Sequence, residues 1–522
     1  MELMKQDIHM DCRKCRASMQ IALEDDVNIS DSRPDAAKLI LDRGNVVVSE
    51  IKVTEDHVNV KGALEFHILY LSDQVQEESG RGELAQMEGK IPFEENIFME
   101  GVTGTDTVNV AWEIEDLSTG LINSRKLSVQ ALVNLELYCE EVRDEEIAVD
   151  LCSQEPVEFR KRNLQVASTK VCKKDLFRIK EEVEIPGSFP NILSLIWTEI
   201  TLGTIEYKVL EDKISIQGEL RAFFVYRAEG EEEICHYETT LPFSGSLECE
   251  GCREGMVPEI CCVSQSREVE VRPDFDGEER VITFEQCLEL SICVYEEESI
   301  DILSDVYGVL KEVSVKERNA DFMRLLQRCS GKTKLSGHFE EESEKTVIHK
   351  ILHTGNTLVL QEKKQVENGI EITGVLELQV FYECSSEGDR YGVIRCSLPF
   401  QYLLETEGLS GECEYPVMAC VDQITVAIID SREIDVKAVL YFKANVYQKW
   451  QERIVEQIQV QPADMEKMAA LPGIAVYMVR DGESLWDIGK RYYVPVSALR
   501  QTNGLSEDEV KAGDKILIVR GF

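Results

Sequence analysis

The chain of 522 residues is too long for a single hydrophobic core, and ordinary domain sizes predict roughly three to five domains. With 43% hydrophobic and 30% charged residues, the composition excludes wholesale disorder. Asp and Glu number 98 against 56 Lys and Arg, and the resulting formal charge of -42 repels phosphate backbones and anionic lipid heads. We therefore expect no nucleic-acid partner and no direct attachment to a membrane surface.

The N-terminal segment contains no apolar stretch long enough for a signal peptide before it reaches Arg13, Lys14 and Arg16. No run in the chain approaches the roughly 20 apolar residues that a membrane span needs. We therefore expect a cytosolic protein without a membrane span. Its 17 cysteines are odd in number and scattered, and without export they predict reduced thiols rather than a disulfide framework.

The chain repeats itself with a period of 156 residues. The segment 58–70 alternates apolar and polar residues, and it recurs at 214–226 and 370–382. Such alternation predicts strands with one buried face. Each copy carries a glycine and, eight positions later, a tyrosine: Gly62 and Tyr70, Gly218 and Tyr226, Gly374 and Tyr382.

Further landmarks keep the same order in each copy. An apolar-Pro-Phe step follows the strand, at 91–93, 241–243 and 398–400, and a strand-like run closes the copy, at 127–138, 282–295 and 434–447. Upstream, Pro34 and Pro190 each open an apolar octet, which predicts a short helix because proline is favoured at the first helical position. The equivalent stretch 345–352 has no proline, and we interpret it as a diverged helix start.

These patterns predict a mainly β fold with minor α, in which three tandem, sandwich-like antiparallel modules precede a small βααβ domain. Charged joints near 143–178 and 299–328 would separate the modules, so that the acidic body acts as a spacer. The expected bounds are 22–142, 179–298 and 329–455 for the modules, 456–473 for a linker and 474–520 for the C-terminal domain.

The C-terminal domain is expected to contain a strand through Val479, a helix capped by Ser484, a second helix from about Pro495, and a last strand. This order is similar to the LysM family. The residues that resemble the family motif are Asp481, Gly482, Glu483, Ser484, Leu485, Asn503, Gly513 and Asp514. Tyr493 departs from it, because many members have glycine there.

The repeated module resembles the SPOCS domain of sporulation proteins from clostridia and bacilli. Three such modules ahead of a LysM domain are the layout of the SipL-type family of spore coat morphogenetic proteins. The resemblance implies a scaffold in the mother-cell cytoplasm that assembles at the forespore surface. It also implies the partners: the coat-basement ATPase, which is stage IV sporulation protein A, and other coat proteins.

The resemblance to LysM implies a shallow groove for N-acetylglucosamine polymers between the first strand-helix turn and the loop after the second helix. Its walls would be Asp481, Gly482, Glu483, Ser484 and Leu485 on one side, and Asn503, Gly504 and Leu505 on the other. In a SipL-type protein the same domain is expected to grip a protein, with a partly exposed Trp486, extended by Ile474, as the anchor. The alternative is that Trp486 completes the core of a domain that needs most of its large apolar residues.

Two residue groups resemble metal sites. Cys249 and Cys252 have the gap of a zinc knuckle, but the candidate second half is an adjacent cysteine pair at 261–262, which reaches one tetrahedral ion less easily, so we favour packed thiols. His349 and His353 would share one face of a helix, but the glutamate of a His-Glu-x-x-His site is missing.

Neither a phosphate-binding loop nor a nucleophile elbow occurs in the sequence. We therefore expect no enzymatic activity, no cofactor and no metal. The function predicted from the resemblance is multivalent scaffolding, in which several weak sites on one chain raise effective concentration. The alternative is that the LysM domain binds peptidoglycan or its lipid-linked precursor.

Overall fold

The computed structural model describes residues 1–75, 82–229, 234–385, 390–462 and 465–520. It is 76% strand and 4% helix, with several antiparallel sheets, and it confirms the predicted mainly β class with minor α. The strands fall into three groups, which we call modules 1, 2 and 3, and a small C-terminal domain follows.

Modules 1 and 2 have six strands each. Those of module 1 are β1 Glu2–Asn28, β2 Ala36–Thr54, β3 His57–Val75, β4 Gly82–Phe98, β5 Val108–Asn123 and β6 Lys126–Cys152. Those of module 2 are β7 Val157–Glu184, β8 Ile192–Leu210, β9 Lys213–Ala228, β10 Ile234–Glu248, β11 Val257–Pro273 and β12 Glu279–Gly308.

Module 3 adds one short strand, and the C-terminal domain contains three helices and two strands. Module 3 comprises β13 Glu312–Glu340, β14 Val347–Val366, β15 Gly369–Ser385, β16 Tyr391–Glu405, β17 Glu412–Glu414, β18 Val417–Ile428 and β19 Glu433–Gln461. The C-terminal domain comprises α1 Met465–Ala470, β20 Ile474–Met478, α2 Leu485–Tyr492, α3 Val496–Asn503 and β21 Lys515–Val519.

Each module is a sandwich of two antiparallel sheets. In module 1 one sheet has the order β1-β6-β5 and the other has the order β2-β3-β4; module 2 repeats this arrangement, and module 3 does so with β17 and β18 both paired to β19. The period-two pattern of the sequence places one side chain in two inside the sandwich. On β6 these buried residues are Leu127, Val129, Ala131, Val133, Leu135 and Leu137.

The repeated glycine and the repeated phenylalanine form a cross-strand pair in every module. Gly62 lies opposite Phe93, Gly218 opposite Phe243 and Gly374 opposite Phe400. A Cβ atom at any of the three glycines would lie within 2.8 Å of the phenylalanine ring. The glycine therefore leaves space for an aromatic ring to cover the backbone of the middle strand.

This pairing predicts that Gly218→Ala lowers the free energy of unfolding by about 1 to 3 kcal/mol, because the new methyl group displaces the packed ring. The Cβ atom would lie 2.7 Å from the Phe243 ring and 3.2 Å from the Thr204 carbonyl oxygen. Gly187→Ala is the matched control, since a Cβ atom at Gly187 would have no neighbour within 4 Å. Urea unfolding of both variants tests the prediction, and equal stability losses would contradict it.

The repeated tyrosine closes the loop that precedes the second strand. The Tyr70 hydroxyl donates to the Pro34 carbonyl oxygen at 3.0 Å, and the Tyr226 hydroxyl donates to the Pro190 carbonyl oxygen at 3.3 Å. Module 3 has no such proline, and there the Tyr382 hydroxyl donates to the carboxylate of Glu341 at 2.5 Å. In modules 1 and 2 the repeated tyrosine and the repeated proline are therefore the two partners of one hydrogen bond.

The predicted short helices after Pro34 and Pro190, and the diverged start in the third copy, are wrong. These stretches enter β2, β8 and β14. Each strand is covered on both faces near its start: Leu39 packs into the module 1 core, whereas Ile40 and Leu41 face the neighbouring modules. A strand buried on both faces has a continuous apolar run, which lacks the alternation that distinguishes a strand from a helix.

The charged segments predicted as joints are also strands. The outer halves of the first and last strands of each module form a two-stranded ribbon, and the three ribbons pack together; we call them the stalk. The stalk consists of residues 2–13, 140–152, 157–171, 294–308, 312–325 and 447–461. All three modules supply its apolar centre, which includes Ile8, Leu164 and Phe322.

A second shared core lies between the sandwiches. Equivalent positions 156 residues apart supply it: Ile40, Ile196 and Leu352 from the second strands, and Leu69, Val225 and Phe381 from the third strands. Polar pairs join every module to both others: Arg227 with Glu83, Lys350 with His236, and Arg395 with Asp42. The expectation of a spacer made of separated modules is therefore wrong, because the modules surround a common centre.

A cluster of charged and polar side chains beside this core contains one residue from each module. Glu199 of module 2 is buried, with a carboxylate oxygen 3.6 Å from Arg43 Nη1 of module 1 and the other 3.3 Å from His353 Nε2 of module 3. The His353 ring stacks on Phe223 at 3.9 Å. Burial opposes ionisation of Glu199, but the Arg43 charge and the adjacent His353 ring outweigh it and lower the pKa of the carboxyl to about 2.

One pair of cysteines differs from the expectation of reduced thiols. Cys172 and Cys293 face each other in register on β7 and β12 and form a disulfide, so the expectation is wrong at this pair. Other thiols are packing groups: burial raises the pKa of Cys139 to about 11 and that of Cys396 to about 12. Because the thiolate is the reactive form, such thiols are poor nucleophiles.

Candidate functional site

The C-terminal domain has a strand-helix-helix-strand order, in which β20 and β21 pair antiparallel. Ser484 caps α2 in a capping box with Asp487, as its position before an apolar-periodic run indicates. At the other end of α2, Tyr493 adopts a left-handed conformation with φ of 58°, a conformation that glycine adopts without steric cost. The core of the domain is formed by Val479, Leu485, Ile488, Val494, Leu499, Ile516 and Ile518.

The predicted groove is open at its lips. Asp481 and Gly482 are exposed on one side, and Gly504 is exposed on the other, next to a half-buried Leu505. Both glycines have positive φ, which lets the chain turn sharply without a side chain over the groove. The backbone at the two lips is therefore accessible to a ligand.

The other predicted groove residues hold the domain together. The Glu483 carboxylate accepts from the Tyr477 hydroxyl at 2.8 Å and from Arg491 at 2.7 Å, and these bonds lower the pKa of Glu483 to about 2. The Asn503 side chain donates to the Leu499 and Leu517 carbonyl oxygens and accepts from the Leu517 amide. Leu485 lies in the core.

Ile474 belongs to an apolar face that the sequence reasoning saw only in part. On the outer side of the two-stranded sheet, the exposed apolar side chains are Ile474, Val476, Met478, Leu517 and Val519, and Lys515 lies beside Met478 at one end. We call the five apolar residues the outer sheet face. Ile474 pairs with Val519 and Val476 with Leu517 across the two strands, so the five side chains are contiguous. The nearly continuous apolar sequence of β20 and β21 could have indicated it, because a strand that is apolar at successive positions has apolar side chains on both faces.

Trp486 is half-buried and lies outside the core of its own domain, and it contacts the stalk. Its indole N–H donates to Asp305 Oδ2 on β12 at 2.8 Å, and its ring meets the Tyr307 ring edge to face at 4.8 Å between centroids. Lys490, one turn later on α2, bonds both oxygens of the same carboxylate at 2.7 and 2.8 Å. The LysM-like domain therefore rests on the outer end of the stalk.

The cysteine and histidine pairs that resemble metal sites in the sequence are not arranged as a metal centre. Cys249 and Cys252 lie with their sulfur atoms 2.6 Å apart in the module 2 core, and burial raises the pKa of Cys252 to about 12. His353 is on strand β14 beside Glu199, whereas the His349 side chain forms a hydrogen bond with the Ser385 hydroxyl. Within the described ranges, no group of three His, Cys, Asp or Glu side chains is arranged to hold a metal ion.

This architecture defines a protein built from binding-type modules. The family model for the SipL SPOCS domain matches residues 35–122, 191–272 and 347–429, and the LysM domain model matches residues 477–519. The chain belongs to the SipL-type proteins, with three SPOCS domains and a C-terminal LysM domain. No curated protein and no solved structure matches it.

The match to these two domain families indicates the general class of function. SPOCS and LysM domains are non-catalytic binding domains, and their combination fits a sporulation protein associated with the spore coat, with glycan binding suggested by the LysM domain. In the part of the chain that the structure describes, no helix has the length and apolarity to cross a membrane. Each SPOCS match begins at the second strand of a module and ends at the strand before the last, so it omits the first and last strands, whose outer halves build the stalk.

Proposed function

We propose that this protein is a non-enzymatic spore coat morphogenetic scaffold whose LysM domain binds the coat-basement ATPase, stage IV sporulation protein A. Through that contact it would help to localise other coat proteins around the forespore, on the mother-cell side. The observation that carries this proposal is the combination of three SPOCS domains with a LysM domain whose outer sheet face is exposed.

The outer sheet face has the properties of the centre of a protein interface. Ile474 is 69% exposed and Val476 is 66% exposed, although both are aliphatic. Burial of one such side chain contributes about 1.5 to 3 kcal/mol, so five neighbours supply a substantial driving force. Interface centres are also depleted of charge, and residues 476–522 have seven basic and seven acidic side chains while the whole chain carries -42. The LysM domain can therefore meet an acidic partner without the repulsion that the modules would exert.

We expect Val476→Glu in the full chain to weaken binding of the purified ATPase at least about tenfold, because a charge would be buried at the centre of the contact. Leu193→Glu is the matched control, since Leu193 is 61% exposed on module 2. Biolayer interferometry measures both variants, and circular dichroism checks that they fold. Equal affinities of Val476→Glu and the unchanged chain would contradict the assignment of the binding face.

The alternative function is binding of peptidoglycan or its lipid-linked precursor by the groove. The exposed lips at Asp481-Gly482 and Gly504-Leu505 favour it. Sedimentation of the full chain with purified peptidoglycan, with chitin fragments as competitors, separates the two functions. A groove ligand would be displaced by chitin fragments and would be insensitive to Val476→Glu, whereas the ATPase contact would show the opposite pattern.

A further inference from the structure

The contact between α2 and the stalk has the features of a specific intramolecular interface. The Trp486 N–H and the Lys490 ammonium converge on the single carboxylate of Asp305. A carboxylate with two donors, one of them charged, forms a stronger contact than a neutral hydrogen bond. The geometry is specific because Asp305 and Tyr307 lie two residues apart on β12 and present their side chains to the same helix.

Buried groups support the same interface. The Tyr307 side chain is 2% exposed, and its hydroxyl donates to the Val494 carbonyl oxygen at 2.9 Å. Gly489 faces it so closely that a Cβ atom would lie 2.6 Å from the hydroxyl oxygen. On β7, Glu158 interacts with the Val496 amide, and burial raises the pKa of its carboxyl. The stalk therefore contacts one face of α2, at Trp486, Gly489 and Lys490, and the turn after it.

The interface is also partly exposed to solvent. The Lys490 side chain is 44% exposed and that of Asp305 is 27% exposed, so salt screens their attraction. The LysM domain stays connected to the stalk through the chain that leaves β19, which keeps its local concentration at the stalk high. We expect a tethered contact of this salt-sensitive kind to open reversibly.

We propose that Asp305 and Tyr307 form a latch that holds the LysM domain on the stalk and covers Trp486, and that its opening exposes α2 for binding. The latch leaves the outer sheet face and the groove lips open, so the domain presents one surface when docked and a larger surface when released. Trp486 is then a positioning residue in the closed state and a contact residue in the open state. Only this last step rests on the proposed binding of a protein partner.

The latch is tested in the full chain labelled with 5-fluorotryptophan, in which Trp486→Phe assigns the fluorine resonance of Trp486. Asp305→Ala is expected to raise the solvent-exposed population of Trp486 at least about tenfold, because it removes a charge-assisted contact and an indole hydrogen bond. Asp301→Ala is the matched control, as it removes the same charge from the same strand at an exposed position. Added salt is expected to shift the unchanged chain in the same direction.

An unchanged Trp486 resonance in Asp305→Ala, or an equal change in Asp301→Ala, would overturn the latch. This measurement needs no partner, so it is independent of the proposed function. The gating step has its own readout: Asp305→Ala should bind the ATPase with an association rate about tenfold higher, because the competent state is more populated. If the resonance shifts and the association rate stays the same, α2 is not a binding surface and the gating step is wrong.

Discussion

Replacing Phe381 with alanine is expected to lower the free energy of unfolding by about 3 to 5 kcal/mol. The Phe381 side chain is 1% exposed and lies in the core shared by the three modules, where it packs on Tyr391 at 5.7 Å between ring centroids. The alanine leaves a cavity, and the three surrounding sheets can move only partly to fill it. Urea unfolding followed by circular dichroism measures the loss, and Phe275→Ala is the matched control because Phe275 is fully exposed.

The same variant tests whether the modules form one body. Because the cavity borders all three modules, hydrogen exchange of Phe381→Ala should accelerate in the second and third strands of modules 1, 2 and 3. Independent modules would confine the acceleration to module 3. That result, or a stability loss no larger than that of Phe275→Ala, would contradict the shared core.

Replacing Glu199 with glutamine is expected to destabilise the protein by about 3 to 5 kcal/mol, because Arg43 and His353 would lose the only carboxylate placed between them in the described structure. Arg267 adds to the positive charge nearby, and burial lowers its pKa to about 10. Glu238→Gln is the control, since Glu238 is half exposed and lies 4.0 Å from His353 Nδ1. Denaturant unfolding at pH 7 measures both variants.

The pH dependence follows from the direction of the Glu199 shift. The pKa of this carboxyl is lowered from 4.5 to about 2, so its contribution to stability is complete above the unfolded value and is lost as the pH falls towards 2. The unchanged chain should therefore lose stability more steeply than Glu199→Gln between pH 4.5 and 2. Parallel curves for the two proteins in that window would contradict the assigned role of Glu199.

Much of the fold could be predicted from local patterns. The glycine and tyrosine spaced by eight, and the apolar-Pro-Phe step, recur because each module needs the same ring over the same glycine and the same tyrosine bond to the preceding loop. The alternation of apolar residues gave the sandwich class. The LysM domain was predicted from its cap, turn and helix order, and Ser484 does cap α2.

Other predictions were wrong at strands that are buried on both faces. The stretches after Pro34 and Pro190 were predicted as helices because both faces of β2 and β8 are buried, one in its own module and one against its neighbours. The second set of contacts is invisible in the repeat itself, because an apolar residue such as Ile40 or Ile196 does not show whether it faces its own module or a neighbouring one. A period of 156 residues reports a common module, and it contains no information on which sheets of the modules meet.

The candidate site was likewise predicted only in part from the sequence. The sequence predicted groove lips at Asp481-Gly482 and Gly504, which are exposed in the structure, and it predicted Trp486 as a contact residue, which stays a prediction. It could not decide the partner of Trp486, because Asp305 lies 181 residues away on the stalk. The binding assignments themselves remain predictions that the proposed experiments test.

The amino-acid sequence by itself determined the repeated β module, its landmarks, the LysM domain and the acidic charge, because each depends on residues close together in the chain. Only the tertiary structure decided that the modules enclose a common core, that the charged segments between them pair into a stalk, and that this stalk holds the LysM domain. The physical reason is that these contacts join residues more than a hundred positions apart. Their free energy comes from surfaces that exist only after each module has folded.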